Sequence, residues 1–473
     1  MMRTLFLHPP SYQGFDGGAA SRYQAKREVR SFWYPTWLAQ VAAIVPGSKL
    51  VDAPPADLTL SDVLPYARDY ELAVLHTSSP SFTGDVKVAE ALKRENPALK
   101  LGFVGAKVAV EPETSLLASE AIDFVAREEY DFTIKEVAEG KPLTEIDGIS
   151  FRDGDRVVHT PDRAILEDMD RLPYVTPVYK RDLDVNHYYN GYLKHPYLSL
   201  YTGRGCRSRC TFCLWPQTVG GHRYRTRSVE NVLTEMAAVR EMFPTVKEVF
   251  FDDDTLTDDR RRVEEIALGM GKLGLAWCCN AKANVPYDTL KIMKDNGLRL
   301  LLVGYESGNQ QILINIKKGI RVERARQFTK DCRDLGITIH GTFIVGLPGE
   351  TRETIQETIK FAKEMNPKSL QVSIAAPYPG TALYQQAKEN GWLPEDDSTL
   401  IDEHGVQTAM LSYPNLNRTE IYESVETFYK QFYFRAGKIA EMSAEMLRSP
   451  QVMKRRLREG VEFVGFIRNR GSA

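Results

Sequence analysis

Three cysteines in one short loop constrain this chain more than any other feature. Cys206, Cys210 and Cys213 form a C-x3-C-x2-C spacing and account for half of the six cysteines in the sequence. Thiolates held so close together can bind three irons of a cubane [4Fe–4S] cluster, since soft sulfur ligands favour such clusters. The fourth iron then lacks a protein ligand and can bind a small molecule.

Two structural interpretations remain open beside the cluster. Structural zinc sites usually take four ligands, often as two C-x2-C pairs. This chain has no second pair, and the nearest additional candidate ligand is His222. Alternatively, the three thiols are simply core side chains.

With Phe212 directly before its last cysteine, the loop resembles the signature of the radical SAM superfamily. The resemblance implies that the cysteines hold a [4Fe–4S] cluster and that its open iron binds S-adenosylmethionine (SAM), with Phe212 close by. It also implies a reaction started by a 5′-deoxyadenosyl radical. An electron donor such as flavodoxin or ferredoxin would then be a partner.

Composition indicates a soluble globular protein of two or three domains. The 473 residues are 43% hydrophobic and 26% charged, and the formal net charge of −2 gives no reason to expect nucleic acid as a partner. Clustered cysteines favour a reducing compartment. The first ten residues have too short an apolar run for a signal peptide, and no run approaches the roughly 20 residues needed to cross a bilayer. We therefore expect a cytoplasmic protein.

The expected fold class is α/β, beginning with a domain over residues 1–145. Short apolar runs alternate there with amphipathic stretches, which predicts an open parallel sheet with helices on both faces. The expected strands are 4–8, 49–53, 71–77, 100–106 and 121–126. In front of such a cysteine loop, this domain resembles the Rossmann-like cobalamin-binding domain of the B12-binding radical SAM subfamily. The cobalt-ligating D-x-H-x-x-G motif does not occur in it, so both cobalamin binding and a purely structural role stay open.

Three further regions follow. Residues 146–195 read as a hairpin, with its turn at Asp153-Gly154, and a linker. Residues 196–385 repeat strand and helix six times, which predicts a partial (β/α)6 barrel. Residues 386–473 predict a helical C-terminal domain. The six barrel strands are expected at 198–201, 246–251, 276–281, 299–304, 337–345 and 369–375.

Several strand ends resemble SAM-binding elements of the superfamily. An aspartate run follows the second strand, and Asp253 or Asp254 is expected to hold the SAM amine, although acidic runs there are also common helix caps. Lys282 follows the third strand, and Glu306 and Ser307 belong to a G-x-E-S-G-like stretch expected to face the ribose. The fifth-strand element is expected to approach adenine through Gly341 and Gly346.

Two adjacent cysteines, Cys278 and Cys279, occupy the third strand. Neighbouring strand residues face opposite sides, so one thiol is expected in the barrel lumen. Either both thiols are core side chains, or the lumen-facing thiol donates a hydrogen atom to a product radical.

The C-terminal segment is strongly basic. It carries Arg448, Lys454, Arg455, Arg456, Arg458, Arg468 and Arg470 against Glu459 and Glu462. Such a face is often merely solvated, but a basic amphipathic end can also rest peripherally on anionic lipid headgroups.

In domain order and in sequence between its motifs, the chain resembles the J-type radical SAM proteins of hopanoid biosynthesis. That resemblance implies a lipid-linked sugar substrate, glucosaminyl bacteriohopanetetrol, whose glucosamine ring contracts to the cyclopentane of the cyclitol ether. The alternatives are a cobalamin-dependent C-methyltransferase acting on a lipid or other natural product, and a non-enzymatic electron carrier or sensor.

Overall fold

The computed structural model describes residues 1–11, 15–18, 23–395, 399–448 and 450–470. The first sheet consists of strands β1 (Thr4–His8), β2 (Lys49–Asp52), β3 (Leu72–His76), β4 (Lys100–Val104), β5 (Phe124–Ala126), β6 (Ile149–Asp153) and β7 (Arg156–His159). The helices around it are α1 (Thr36–Ile44), α2 (Leu60–Val63), α3 (Tyr66–Asp69), α4 (Phe82–Glu95), α5 (Ala106–Val110), α6 (Pro112–Leu117), α7 (Asp131–Ala138) and α8 (Thr176–Asp182).

The strands of this sheet lie in the order β2–β1–β3–β4–β5–β6–β7. The first five are parallel, as the alternating pattern predicts, and each lies within three residues of its expected bounds. Strands β6 and β7 form the expected hairpin, but they pair antiparallel with the edge strand β5. Residues 149–159 therefore continue the first sheet, because β5 offers an open edge that local sequence does not reveal.

The second sheet forms a half-barrel. Its region contains strands β8 (Tyr197–Leu200), β9 (Gly203–Arg204), β10 (Arg225–Thr226), β11 (Glu248–Phe251), β12 (Trp277–Ala281), β13 (Leu298–Glu306), β14 (Thr338–Val345) and β15 (Ser369–Ile374). Its helices are α9 (Leu214–Thr218), α10 (Val229–Met242), α11 (Arg260–Leu273), α12 (Tyr287–Asp295), α13 (Gln310–Asn315), α14 (Val322–Asp334), α15 (Arg352–Met365) and α16 (Ala382–Glu389).

Six of these strands pair in parallel in the order β15–β14–β13–β12–β11–β8, and they are the six predicted βα units. The short strands β9 and β10 pair separately and flank the cysteine loop. Consecutive parallel pairing with helical crossovers brings all six C-terminal strand ends to one rim, where ligands of such folds bind.

The C-terminal region contains α17 (Arg418–Tyr433), α18 (Ala436–Leu447) and α19 (Pro450–Arg470). Helix α17 ends two residues before α18 begins, so the two are separate helices. Helix α17 packs on β15, where the Tyr429 hydroxyl accepts a hydrogen bond from the Val372 amide at 2.9 Å. No helix in the described residues is long and apolar enough to cross a membrane.

One hydrophobic core joins the first domain to the half-barrel. It runs from Trp37 on α1 to the barrel strands, while a separate core fills the other face of the first sheet. Buried ion pairs join the same two parts. Arg225 contacts Glu129 at 2.5 Å and Arg204 contacts Asp131 at 2.6 Å, and all four side chains are buried. The first domain is thereby attached directly to the strands that flank the cysteine loop.

Candidate active site

A cavity of about 280 Å³ lies at the C-terminal rim of the six parallel strands. Asp254 and Thr255 reach it just after β11, Lys282 just after β12 and Glu306 from the end of β13. The parallel topology places these positions together although they are distant in sequence.

All three loop cysteines line this cavity. Cys206 and Cys210 are buried, and Cys213 is partly exposed. Gly205 makes the entry into the loop possible: its φ is +86°, and a Cβ there would lie 2.3 Å from the Arg223 carbonyl oxygen. Three soft ligands facing one cavity fit a cluster that keeps one iron open.

The zinc alternative depends on His222 as a fourth ligand. The Nδ1 atom of His222 lies 2.9 Å from the carbonyl oxygen of Ser208, so this nitrogen bonds to the loop backbone.

Glu306 and Lys318 form an ion pair in the cavity wall. Lys318 Nζ donates to Glu306 Oε1 at 2.6 Å, and Glu306 has a φ of +61°, which turns its side chain into the cavity. Burial alone would lower the pKa of Lys318, but Glu306 and the nearby Cys210 and Cys213 raise it above its usual range. Burial raises the pKa of Cys210 above its usual value, and the charge of Lys318 opposes part of that rise.

The two candidate aspartates are separated by the structure. Asp253 accepts hydrogen bonds from the amide and hydroxyl of Thr202 and from the Tyr224 hydroxyl, each at 2.6 Å, and is fully buried outside the cavity lining. Burial raises its pKa above the usual value. Of the two aspartates, Asp254 is the one that lines the cavity.

Of the other residues predicted to contact SAM, some line the cavity and others do not. Phe212 and Lys282 line the cavity, and Lys282 also pairs with Asp258 at 3.1 Å. Ser307, Gly341 and Gly346 are outside the described lining. The Ser307 hydroxyl bonds to that of Thr358 on α15.

The strand geometry explains why the two glycines face away. A Cβ at Gly341 would meet the side chains of Tyr305, Phe343 and Pro367 on the helical side of β14, and one at Gly346 would meet Ile421. Thr342 and Ile344, on the opposite face of β14, line the cavity instead.

Cys278 and Cys279 are both fully buried, and neither is in the described cavity lining. Cys278 lies on the same strand face as Asn280, which does line the cavity. Its thiol accepts from Arg299 at 3.7 Å, beside the Arg299–Glu248 ion pair. Cys278 is therefore the lumen-side thiol, one layer below the cavity. Cys332, on α14, is a buried core thiol.

Sequence reasoning missed most of the opposite wall of the cavity. This wall is formed by aromatic and polar side chains from the β1–α1 connection, the interdomain segment, β15, the β15–α16 connection and the segment after α16. They are Tyr23, Arg27, Trp33, Tyr192, Gln371, Ser373, Tyr378 and Gln407. No motif marks Arg27, Trp33 or Gln407, because only the fold brings these five segments together.

Comparison with known proteins agrees with this geometry. The model of the radical SAM superfamily matches residues 200–362. Over 410 residues the chain is 30% identical to an uncharacterized methyltransferase of Pyrococcus horikoshii, covering 83% of this chain and 84% of that protein. The chain belongs to the radical SAM superfamily. It is a radical SAM enzyme, and its cysteine loop lies within the matched residues.

Two solved radical SAM enzymes share the fold. OxsB, with aqua-cobalamin and SAM bound, has a TM-score of 0.70 at 14% identity and covers 98% of this chain and 72% of its own. TsrM from Kitasatospora setae, with cobalamin and a [4Fe-4S] cluster bound, has a TM-score of 0.67 at 13% identity. The match covers 91% of this chain and 89% of the TsrM chain. The α/β expectation, with its half-barrel and helical C-terminal region, is thus confirmed.

A corrin would bind beyond the C-terminal strand ends of the first sheet, as ligands of such sheets do. His76 ends β3 there, fully buried, with no hydrogen-bond partner for either ring nitrogen among the described residues. Burial, with a smaller contribution from His8, lowers the pKa of His76 to about 3. The imidazole is therefore neutral and retains a free lone pair.

Trp215 lies next to His76. Its ring lies 6.5 Å from that of His76, stacks on Trp37 and lines the radical cavity. Gly18 packs so closely on the His8 ring that a Cβ there would lie 2.8 Å from it. An imidazole with a free lone pair fits a cobalt ligand, with Trp215 standing between it and the radical cavity.

Proposed function

We propose that this radical SAM enzyme removes a hydrogen atom from a polyhydroxylated, sugar-like substrate bound in the cavity. The opposite wall carries the proposal. It presents the aromatic side chains of Trp33, Tyr192 and Tyr378 together with the hydrogen-bonding groups of Arg27 and Gln371. Flat apolar faces beside fixed donors and acceptors suit a ring that bears hydroxyl groups.

The wall is held rigidly enough to orient such a ring. Tyr192 stacks on His340 with 4.0 Å between ring centroids, and its hydroxyl accepts from the Asn190 amide at 3.2 Å. Gln407 exchanges hydrogen bonds with both backbone groups of Ile374 at the end of β15. Groups fixed in this way align a substrate carbon at little entropic cost on binding.

The residues on the cofactor side have separate tasks. Cys206, Cys210 and Cys213 would hold the cluster, and Asp254 and Glu306 would bind SAM. When bound, the two cofactors supply a 5′-deoxyadenosyl radical. Phe212 and Trp215 cover the loop side of the cavity and exclude water from it.

Our first candidate reaction is ring contraction of the glucosamine of glucosaminyl bacteriohopanetetrol, in hopanoid biosynthesis. It breaks the bond between the ring oxygen and C1 and forms a bond between C1 and C5, so the product is an isomer that contains a cyclopentane. Its supports are the resemblance to the J-type proteins and the sugar-compatible wall, and its chemistry requires no corrin. Cys278, on the lumen side, remains our candidate for returning a hydrogen atom.

The second candidate is C-methylation of a lipid or other natural product. The name of the Pyrococcus horikoshii relative and the cobalamin in OxsB and TsrM favour it, as does the unpartnered His76. Corrin binding would require Trp215 to leave its position between His76 and the cavity.

One anaerobic assay separates the two reactions. Reconstituted, reduced protein is incubated with SAM and glucosaminyl bacteriohopanetetrol, with and without cobalamin, and analysed by chromatography and mass spectrometry. A new product of unchanged mass, formed with 5′-deoxyadenosine and without cobalamin, supports ring contraction. A product heavier by one methyl group, formed only with cobalamin, supports methylation and contradicts contraction.

Two variants test the roles of the residues. Gln371→Leu should keep deoxyadenosine formation and lose product, because it alters only the substrate wall. Cys278→Ser should lower product formation but not deoxyadenosine formation, with Cys279→Ser as the matched control. If both cysteine variants turn over like the wild type, the hydrogen-donor role is wrong.

A further inference from the structure

Helix α19 exposes a continuous row of large apolar side chains. Leu457, Val461 and Val464 are 55%, 74% and 55% exposed, and Met453 continues the row at 41%. Their spacing of three or four residues puts them on one side of the helix. We call these four residues the apolar stripe. A contiguous exposed stripe marks an interaction surface, unlike scattered single side chains.

The end of α18 extends this surface. Leu447, where α18 ends before α19 begins, is 86% exposed, and Ile439 on α18 is also exposed. Helices α18 and α19 pack against each other as a hairpin. The hairpin therefore presents apolar side chains at its turn and along its outer face.

Positive charge borders the stripe. Lys454 and Arg458 are exposed beside Leu457, and Lys454 forms no ion pair with any described residue. The acidic residues of the helix are already engaged, since Glu459 pairs with Arg456 at 2.9 Å and Glu462 with Arg458 at 3.6 Å. An apolar row with basic flanks is complementary to an anionic lipid surface, where acyl chains receive the row and headgroups receive the cations.

A second cavity, of about 780 Å³, opens beside the stripe. Gly465 and Phe466 of α19 line it, together with the apolar side chains of Phe15, Phe32 and Leu60. Its wall is also strongly charged, and the charged residues are Asp16, Lys26, Arg27, Glu28, Arg30, Asp57 and Glu462. This cavity therefore does not extend the apolar stripe.

We propose that the α18–α19 hairpin docks on an anionic lipid bilayer through the apolar stripe and its basic flanks. Docking is independent of the reaction chemistry proposed above.

Docking is tested by sedimenting the full-length, reconstituted protein with vesicles of phosphatidylcholine alone or mixed equally with phosphatidylglycerol. The wild type should bind the mixed vesicles more tightly. The double variant Leu457→Glu/Val461→Glu should bind them about tenfold or more weakly, because two apolar contacts are replaced by charges repelled by the lipid. Leu268→Glu, which alters an exposed apolar residue on α11, should bind like the wild type.

Three results would overturn docking. The wild type could stay in the supernatant with both vesicles, the double variant could bind as well as the wild type, or the double variant could lose a co-purified protein while its vesicle binding is unchanged. The last result would assign the stripe to a protein partner. Unchanged deoxyadenosine formation and thermal unfolding show that each variant is folded.

Vesicle binding requires no SAM, so failure of the proposed reaction would leave the docking result intact.

Discussion

Arg204 donates two hydrogen bonds to the carboxylate of Asp131, at 2.6 and 3.0 Å, across the boundary between the two sheets. Its guanidinium also lies 3.9 Å from the ring centroid of Trp37. Because Arg204 stands two residues before Cys206, this contact makes the first domain a support for the cysteine loop.

Replacing Asp131 should weaken both the domain contact and the cluster site. Asp131→Asn removes the nearer of the two buried carboxylates beside Arg204 and leaves Glu129 at 3.8 Å, so the cost should approach the roughly 3–5 kcal/mol of breaking a buried pair without exceeding it. We expect a lower melting temperature and less iron retained per chain, measured by thermal unfolding and iron analysis. Glu265→Gln, which breaks the exposed Arg261–Glu265 pair, should change neither. Wild-type iron content and stability in Asp131→Asn would show that the contact does not support the loop.

Replacing Asp254 should affect SAM binding, whereas replacing Asp253 should affect stability. Asp254→Asn removes a charge from the cavity wall and should weaken SAM binding and deoxyadenosine formation by about tenfold or more, with stability unchanged. Asp253→Asn disturbs a buried carboxylate that accepts three hydrogen bonds and should lower the melting temperature. Isothermal titration with SAM and thermal unfolding make the comparison. The opposite pattern would assign the SAM amine to Asp253.

Stability should depend on pH through Glu350. Its carboxylate accepts hydrogen bonds from the amides of Gly346 and Leu347 at 2.6 and 3.0 Å, but burial raises its pKa from 4.5 to about 8. The folded state then holds a proton that the unfolded state releases. This contribution to stability is complete below pH 4.5 and is lost as the pH rises through about 8.

In the Glu350→Gln variant, the free energy of unfolding should depend less on pH than in the wild type. Between pH 5 and 9 the free energy of unfolding of the wild type should fall relative to that of the variant, by up to a few kcal/mol at about 1.4 kcal/mol per pKa unit. Urea titrations across this range measure the difference. A constant difference between the two proteins would mean that Glu350 titrates near its ordinary pKa.

Cobalamin binding should be limited by Trp215. We expect the purified protein to take up little hydroxocobalamin on gel filtration. Trp215→Ala opens space next to His76 and should take up more hydroxocobalamin. Because His76 could then ligate the cobalt, the absorption spectrum of the bound corrin should differ between Trp215→Ala and Trp215→Ala/His76→Ala. Stoichiometric binding by the wild type that depends on His76 would contradict this expectation and favour the methylation reaction.

Local sequence determined much of this protein. The apolar runs fixed the strands of both sheets to within a few residues, since buried parallel strands need continuous hydrophobic segments. The C-x3-C-x2-C spacing located the cluster loop, because three ligands within eight residues need no tertiary information to be near one another. Acidic and glycine-containing strand ends indicated the rim, but not which side chains enter it.

Tertiary structure decided the rest. Asp253 and Asp254 are neighbours in sequence, and only the contacts of Thr202 and Tyr224 turn one into the core and leave the other at the cavity. Arg27 and Gln371 meet across the cavity although more than three hundred residues separate them. Hydrophobic periodicity shows which side of a helix or strand is buried. It does not show which residues pack against that side, because those residues come from distant parts of the chain.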